Sequence, residues 1–257
     1  MGLIRELFDY RTMLATMVRK ELVTRYKGSV LGFLWAFVNP LLQLAVYSVV
    51  FSSIMRVDVD KYYIYLFVAF IPWFFLSTCL GGGANCVVES ANLVKKIYFP
   101  RMVIPLSTVT AGFVNLCLSM AVVLGAVLFS GIGLSACCLL LPGIMALEYL
   151  LVLGFLLIFS ALNVYLRDLR HMLEILMMAW FYATPIVYTP DMVPEGWRWA
   201  LSLNPITGLV EAYRDLLYYQ RLPDISHLLW PFGLGLLLCL GGGWLFQRLQ
   251  RGFAEEL

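Results

Sequence analysis

Charge is what this sequence has least of. Asp, Glu, Lys and Arg make up 13% of the 257 residues, and apolar residues make up 61%. Soluble domains sit near about 25% charged and about 45–50% apolar. A water-soluble globule is therefore excluded, and a mean hydropathy of +0.85 points to an integral membrane protein. The net charge of +2 is too small to imply nucleic acid as a partner. Histidine is nearly absent, with only His171 and His227, far apart in the chain. The six cysteines form no C-x-x-C pair, and the vicinal Cys137–Cys138 has no further ligand nearby, so no metal cluster is expected. Cysteines in apolar stretches read as small buried hydrophobes.

The chemistry-bearing motifs are missing too. No G-x-x-x-x-G-K-[ST] occurs, because Gly81–Gly83 and Gly241–Gly243 lack the following Lys-Ser/Thr. ATP is thus not bound here by a P-loop, and membrane glycines serve close helix packing. Neither G-x-S-x-G nor H-E-x-x-H appears, and no run of intramembrane carboxylates offers a proton relay. No cleavable signal is expected, since the first apolar run starts near residue 30 and is too long. Glu6 stands where a myristoylation signal needs Ser or Thr.

What is present is a series of long apolar runs. The leading one follows a cationic foot, Arg25 and Lys27, and a Gly28-Ser29 step. It covers 30–55, with Trp35 near its entrance and Asn39-Pro40 inside it. At 1.5 Å per residue it is about 39 Å long against a hydrocarbon core of about 30 Å. It should tilt or kink, and Pro40 supplies a kink. Before it, residues 1–27 read as an amphipathic helix, either lying in the interface or packing on the protein. Further spans are expected over 62–80, 103–129, 139–162, 172–188 and 228–246, so the fold class is an all-α membrane protein of six transmembrane helices. A connection at 84–101 carries Glu89, Asn92, Lys95, Lys96 and Arg101, with a helix expected from about Ala84 to Tyr98, ending before Pro100. It reads as a docking element or as a solvated basic loop. The long connection 189–227 holds Trp197, Trp199 and, after Asn204-Pro205, a helical stretch whose Glu211, Arg214 and Asp215 forbid a lipid-facing span. Short re-entrant or interfacial helices are expected there.

Thirteen of the eighteen cations then fall on the side of the N-terminus, which places both termini in the cytoplasm. Glu148 is the one acid deep in a span, about 13 Å in from Leu139. It is either functional or a neutral structural group bonded to another helix. Aromatics, at 15%, would suit stacking on sugar rings, and interface belts explain them equally.

Four segments together resemble the membrane subunit of ABC-2 type exporters, the branch that exports O-antigen, capsule or teichoic acid. They are RYKGSVLGFLWAFVNPLL at 25–42, NLVKKIYFPRMVIP at 92–105, NVYLRDLRH at 163–171, and TPIVYTPDMVP with LNPITGLVEAYRDLL between 184 and 217. The resemblance implies a type V exporter-like fold and a homodimer in a bacterial inner membrane. It also implies two copies of a separate ATPase that bears the ATP and Mg2+. This chain would be no enzyme and would need no cofactor. The substrate would be a polyprenyl-diphosphate-linked glycan. Coupling to the ATPase would fall to Glu89, Asn92, Lys95, Lys96 and Tyr98. Arg25, Lys27 and Arg101 are candidates for a headgroup at the cytoplasmic entrance. Trp35, Asn39, Glu148, Tyr188, Glu211 and Arg214 are candidates for the pathway or an outer gate. An ABC-2 permease for a small lipid or drug, or a membrane enzyme acting on polyprenyl lipids, are the alternative readings.

Overall fold

The computed structural model describes residues 9–26, 34–50 and 59–257, and every regular element among them is helical. Lys27, and the side chains of Arg25 and Asn39, lie outside the described part. Helix α1 runs Arg11–Tyr26 and α2 runs Trp35–Ser48. Helix α3, Tyr62–Ser77, starts just after Lys61 in a left-handed conformation (φ 46°). It continues through a π-helical turn, Thr78–Gly82, and a 3-10 turn into α4, Cys86–Glu89, and α5, Ala91–Lys96. The long α6 is Val103–Phe129, α7 is Leu141–Tyr165 and α8 is Leu169–Ala183. Two short outlying helices follow, α9 at Arg198–Leu203 and α10 at Pro205–Leu217. The last long helix is α11, Ile225–Leu249, and α12 is Phe253–Glu256.

Four helical stretches among the described residues are long and apolar enough to cross a bilayer: Tyr62–Lys96, Val103–Phe129, Ala136–Tyr165 and Ile225–Glu256. Helix α6 forms because its 27 residues carry no charge and no unpartnered polar run. The link to α7 turns through Gly131 and Gly133, at φ 78° and 86°, a left-handed backbone that residues with a Cβ rarely adopt. The first expected span lies partly outside the described residues. In the fifth expected span the helix ends at the Thr184-Pro185 break that the sequence carries: α8 has 15 residues, about 22 Å of helix, and Thr184 leaves it in an extended conformation (φ −103°, ψ 135°) because Pro185 follows.

The 84–98 helix also differs. Ser90 (φ −93°, ψ 14°) divides it in two, and Ile97 is already extended (φ −129°, ψ 134°). Helicity therefore stops at Lys96, since the approach to Pro100 favours extended backbone.

Packing is closest between α7 and α11. A Cβ at Gly154 would stand 2.6 Å from Leu238 Cβ and 2.8 Å from the Cys239 nitrogen, so the two backbones touch. Helix α3 is largely enclosed, with Ile64 through Ile71 all buried. A second, smaller core gathers Val94, Phe99, Met102, Phe246 and Phe253 at the end of the molecule where α1 lies. Tyr10, Leu14 and Met17 of α1 pack on it, which makes α1 a helix packed on the protein at that end.

Candidate functional site: a sealed cap and an open basic end

The candidate residues separate into two groups at opposite ends of the long helices. At the end away from α1, the chain after α8 turns and bends through Thr184–Tyr188, where the Ile186 N–H donates to the Thr184 carbonyl at 2.7 Å, yet Thr184, Ile186 and Val187 are buried. Backbone without helix must have its carbonyls satisfied by protein when water is excluded. Arg214 does this. Its guanidinium donates to the carbonyl of Pro185 at 2.5 Å, of Ile186 at 2.7 Å and of Tyr65 at 3.5 Å. It lies 3.6 Å from the centre of the Tyr65 ring and is 2% exposed. The Tyr62 hydroxyl donates to the Val187 carbonyl at 2.7 Å, and Tyr65 reaches the Tyr188 carbonyl at 3.4 Å.

Asn204 ties the same region to α10. Its Oδ1 accepts from the Trp180 indole at 2.9 Å and from the Ile206 N–H at 3.1 Å, while its Nδ2 donates to Thr184 Oγ1 at 2.9 Å. As N-cap it satisfies a donor that the helix start leaves open. Tyr213 of α10 donates to Glu148 Oε2 of α7 at 2.7 Å, both side chains being buried. Glu211 is half-buried, 3.6 Å from His227 Nδ1 at the start of α11. Glu148, Glu211 and Arg214 are thus gathered around one helix. Tyr188 donates to the Tyr182 carbonyl at 3.1 Å, and Trp35 is 39% exposed on α2, apart from this cluster. Tyr62, Tyr65, Asn204 and Tyr213 complete the network. The signal of Tyr62 and Tyr65 was misleading, because tyrosines at the start of an apolar run read as an interface belt, whereas Asn204 was legible as the N-cap that it is.

At the α1 end the arrangement is the reverse. Val94, Phe99 and Met102 are buried anchors, while Asn92, Lys95, Lys96 and Ile97 face outward and Tyr98 is 93% exposed. Glu89 accepts from Asn85 Nδ2 at 3.0 Å, and Asn85 Oδ1 in turn accepts from Asn163 at 3.1 Å, so Glu89 is braced against α7. Arg101 donates to the Gln250 carbonyl and lies 6.0 Å from the Phe253 ring, which joins the connection to the C-terminal segment. Lys95, Lys96, Arg101 and Arg251 border a cavity of about 740 Å³. Among the described residues no three His, Cys, Asp or Glu side chains converge as a metal site.

Between the two ends, Phe70, Trp73, Phe74, Phe181 and Tyr182 form an aromatic cleft with Gln43 of α2. The Trp73 and Phe181 rings are 5.6 Å apart, and Trp73 meets Trp180 edge-on at 6.3 Å.

The sequence profile of the ABC-2 type transporters matches residues 12–218, most of the chain. The chain belongs to the ABC-2 type transporter family. Relatives of this ABC-2 chain align over almost their whole length. It is 34% identical over 257 residues to the O-antigen export system permease protein RfbA of Myxococcus xanthus, covering 99% of each chain. It is 31% and 32% identical over 252 residues to two proteins of the same name from Klebsiella pneumoniae, covering 98% of this chain and 96% of each relative. As an ABC-2 chain with several membrane-crossing helices, it is a multi-pass transport permease.

Proposed function

We propose that the chain is the membrane permease of an ATP-driven exporter that moves a lipid-linked polysaccharide of the O-antigen type across the bacterial inner membrane. The observation that carries this is end-to-end similarity to permeases named for O-antigen export. Two copies of the permease frame one pathway, and two copies of a separate ATPase supply ATP hydrolysis with Mg2+. Six spans and cytoplasmic termini follow from the distribution of cations. The helices α2 and α8 complete the count, α8 being lengthened by the buried turn after it.

In this reading the α1 end faces the cytoplasm. Glu89, Asn92, Lys95, Lys96 and Tyr98 dock the ATPase, with Ile97 and Tyr98 as the exposed apolar tip and Val94 and Phe99 as the anchors that transmit its motion. Closure of the ATPases on ATP is passed as a rigid-body movement to the spans. Arg101, at the basic cavity, attracts the diphosphate of the polyprenyl carrier, a role that the sequence offers to Arg25 and Lys27 as well. The aromatic cleft between α2, α3 and α8 stacks sugar rings, and α10 closes the outer end as a gate that uses Trp35, Asn39, Glu148, Tyr188, Glu211 and Arg214 as pathway or positioning groups. No cofactor is required in this chain.

The test is co-purification in mild detergent, followed by export into vesicles. A stoichiometric P-loop ATPase, and ATP-dependent movement of polyprenyl-linked glycan, are expected. An ATPase that moves only a small lipid or drug would replace the substrate assignment. Absence of any ATPase, with activity on polyprenyl substrates instead, would overturn the transporter role.

A further inference from the structure

At the outer end, between α9, α10 and the first turns of α11, lies a cavity of about 390 Å³ that shares Asn204 and Glu211 with the network above. It falls in the size range of small-ligand sites, about 300–1,000 Å³. It is lined by Asp191, Arg198, Thr207, Glu211, His227 and Trp230, with Glu211 3.6 Å from His227 Nδ1 and the Arg198 Nε donating to the Val193 carbonyl at 3.2 Å. Trp230 is fixed, because its N–H donates to the Leu203 carbonyl at 2.9 Å. Gly208 brings the two sides together, since any Cβ there would collide with the His227 carbonyl.

Thr207 is the telling residue. It is 5% exposed and its hydroxyl has no partner. A buried hydroxyl left unpaired is costly, and a helical Thr normally bonds a carbonyl of the preceding turn. Here the side chain borders the cavity instead. Carboxylates that accept from hydroxyls, a guanidinium that donates, a hydroxyl that does both and an aromatic wall for C–H faces are the donor set for a sugar ring. A metal ion fits poorly, as no three ligating side chains converge among the described residues.

We propose that this cavity holds one sugar unit of the glycan at the outer end of the permease. The proposal rests on the export function above. Asp191 and Thr207 bind ring hydroxyls, and the Trp230 indole covers the apolar face. A sugar unit held there keeps the emerging polymer from sliding back between ATP cycles.

The experiment uses the full permease with its ATPase in nanodiscs. The probe is the surface polysaccharide of the transporter's own cell, cut from its lipid by mild acid, with binding followed by titration calorimetry. Thr207→Val should weaken binding about fivefold and leave the melting temperature unchanged or raised, because an unpaired hydroxyl is removed. Asp191→Asn, at an exposed position that does not threaten folding, should weaken it about tenfold. Glu195→Gln, outside the cavity, should bind as the wild type does. The proposal is overturned if Thr207→Val and Asp191→Asn bind like the wild type, or if a wild-type complex that exports glycan does not bind the delipidated polymer. A wild-type complex that exports no glycan at all would instead sink the export reading.

Discussion

The two ends of this molecule treat polar groups in opposite ways. At the α10 end, the outer one in the proposed orientation, Arg214 serves the carbonyls of Pro185, Ile186 and Tyr65, and Asn204 serves Trp180, Thr184 and Ile206. At the inner end Lys95, Lys96 and Tyr98 are exposed, and only the apolar anchors beneath them are buried. A surface that completes itself resists change, whereas one that leaves cations and an aromatic ring in solvent is available to a partner. Stability and coupling are thus expected to divide between the ends.

The strongest way to break that contrast is Arg214→Ala. Three carbonyls would lose their donor in a water-poor site, for a loss of about 3–5 kcal/mol, measured by reversible unfolding in mixed micelles. Arg214→Lys should recover only part of this, because an ammonium on a flexible stem cannot reproduce the guanidinium fork. Stability close to wild type in both variants would remove the outer end's claim to be self-supporting.

A smaller effect sharpens the role of Glu148. Tyr213→Phe leaves the buried carboxyl group without its donor and should cost about 1–3 kcal/mol. Glu148→Leu combined with Tyr213→Phe replaces both partners by apolar groups and should restore most of that loss. If the double variant is stable and still exports, the pair is a helix fastener. If it is stable and inactive, Glu148 takes part in transport.

Asp224 provides a pH-dependent test. Its carboxylate accepts from the Ser226 N–H at 2.9 Å at the start of α11, and this hydrogen bond holds its pKa below the usual carboxylate range. The sign follows: the charged cap contributes at neutral pH, and its contribution fades as pH falls through the lowered pKa. Asp224→Asn, which keeps an acceptor oxygen, should flatten the acid limb of a melting-temperature profile while changing little at pH 7.

The smallest stability effect is expected at the other end. Lys95→Ala with Lys96→Ala and Tyr98→Ala should shift unfolding by about 0.5 kcal/mol or less, as exposed side chains do. The same triple variant should lose most of its ATPase in co-purification. Retained ATPase binding and export would end the assignment of these residues to coupling.

The all-helical character and the family resemblance were legible in the sequence because long uncharged runs and ordered motifs are local signals. A stretch such as Val103–Phe129 has no alternative to helix in hydrocarbon. The outer network was not legible, for a physical reason. The Arg214–Tyr65 contact spans 149 residues, and no periodicity announces it. The Thr184-Pro185 step marked a break in the fifth apolar run, but not the buried turn that follows it, because hydropathy does not register how backbone carbonyls are satisfied. Arg214 itself was visible as an unusual charge. That it closes the region, with its guanidinium buried, emerges only once Pro185–Tyr188 is seen to need donors. At the inner end the charges were readable, and only the break at Ser90 and the early stop at Lys96 were missed.

The backbone contact at Gly154 has a mechanical consequence. Helices that meet through side chains can re-register by exchanging rotamers. Helices that meet main chain to main chain have nothing to exchange, so α7 and α11 should travel as one plate. A seam that opens for a polymer is then expected elsewhere than between these two helices.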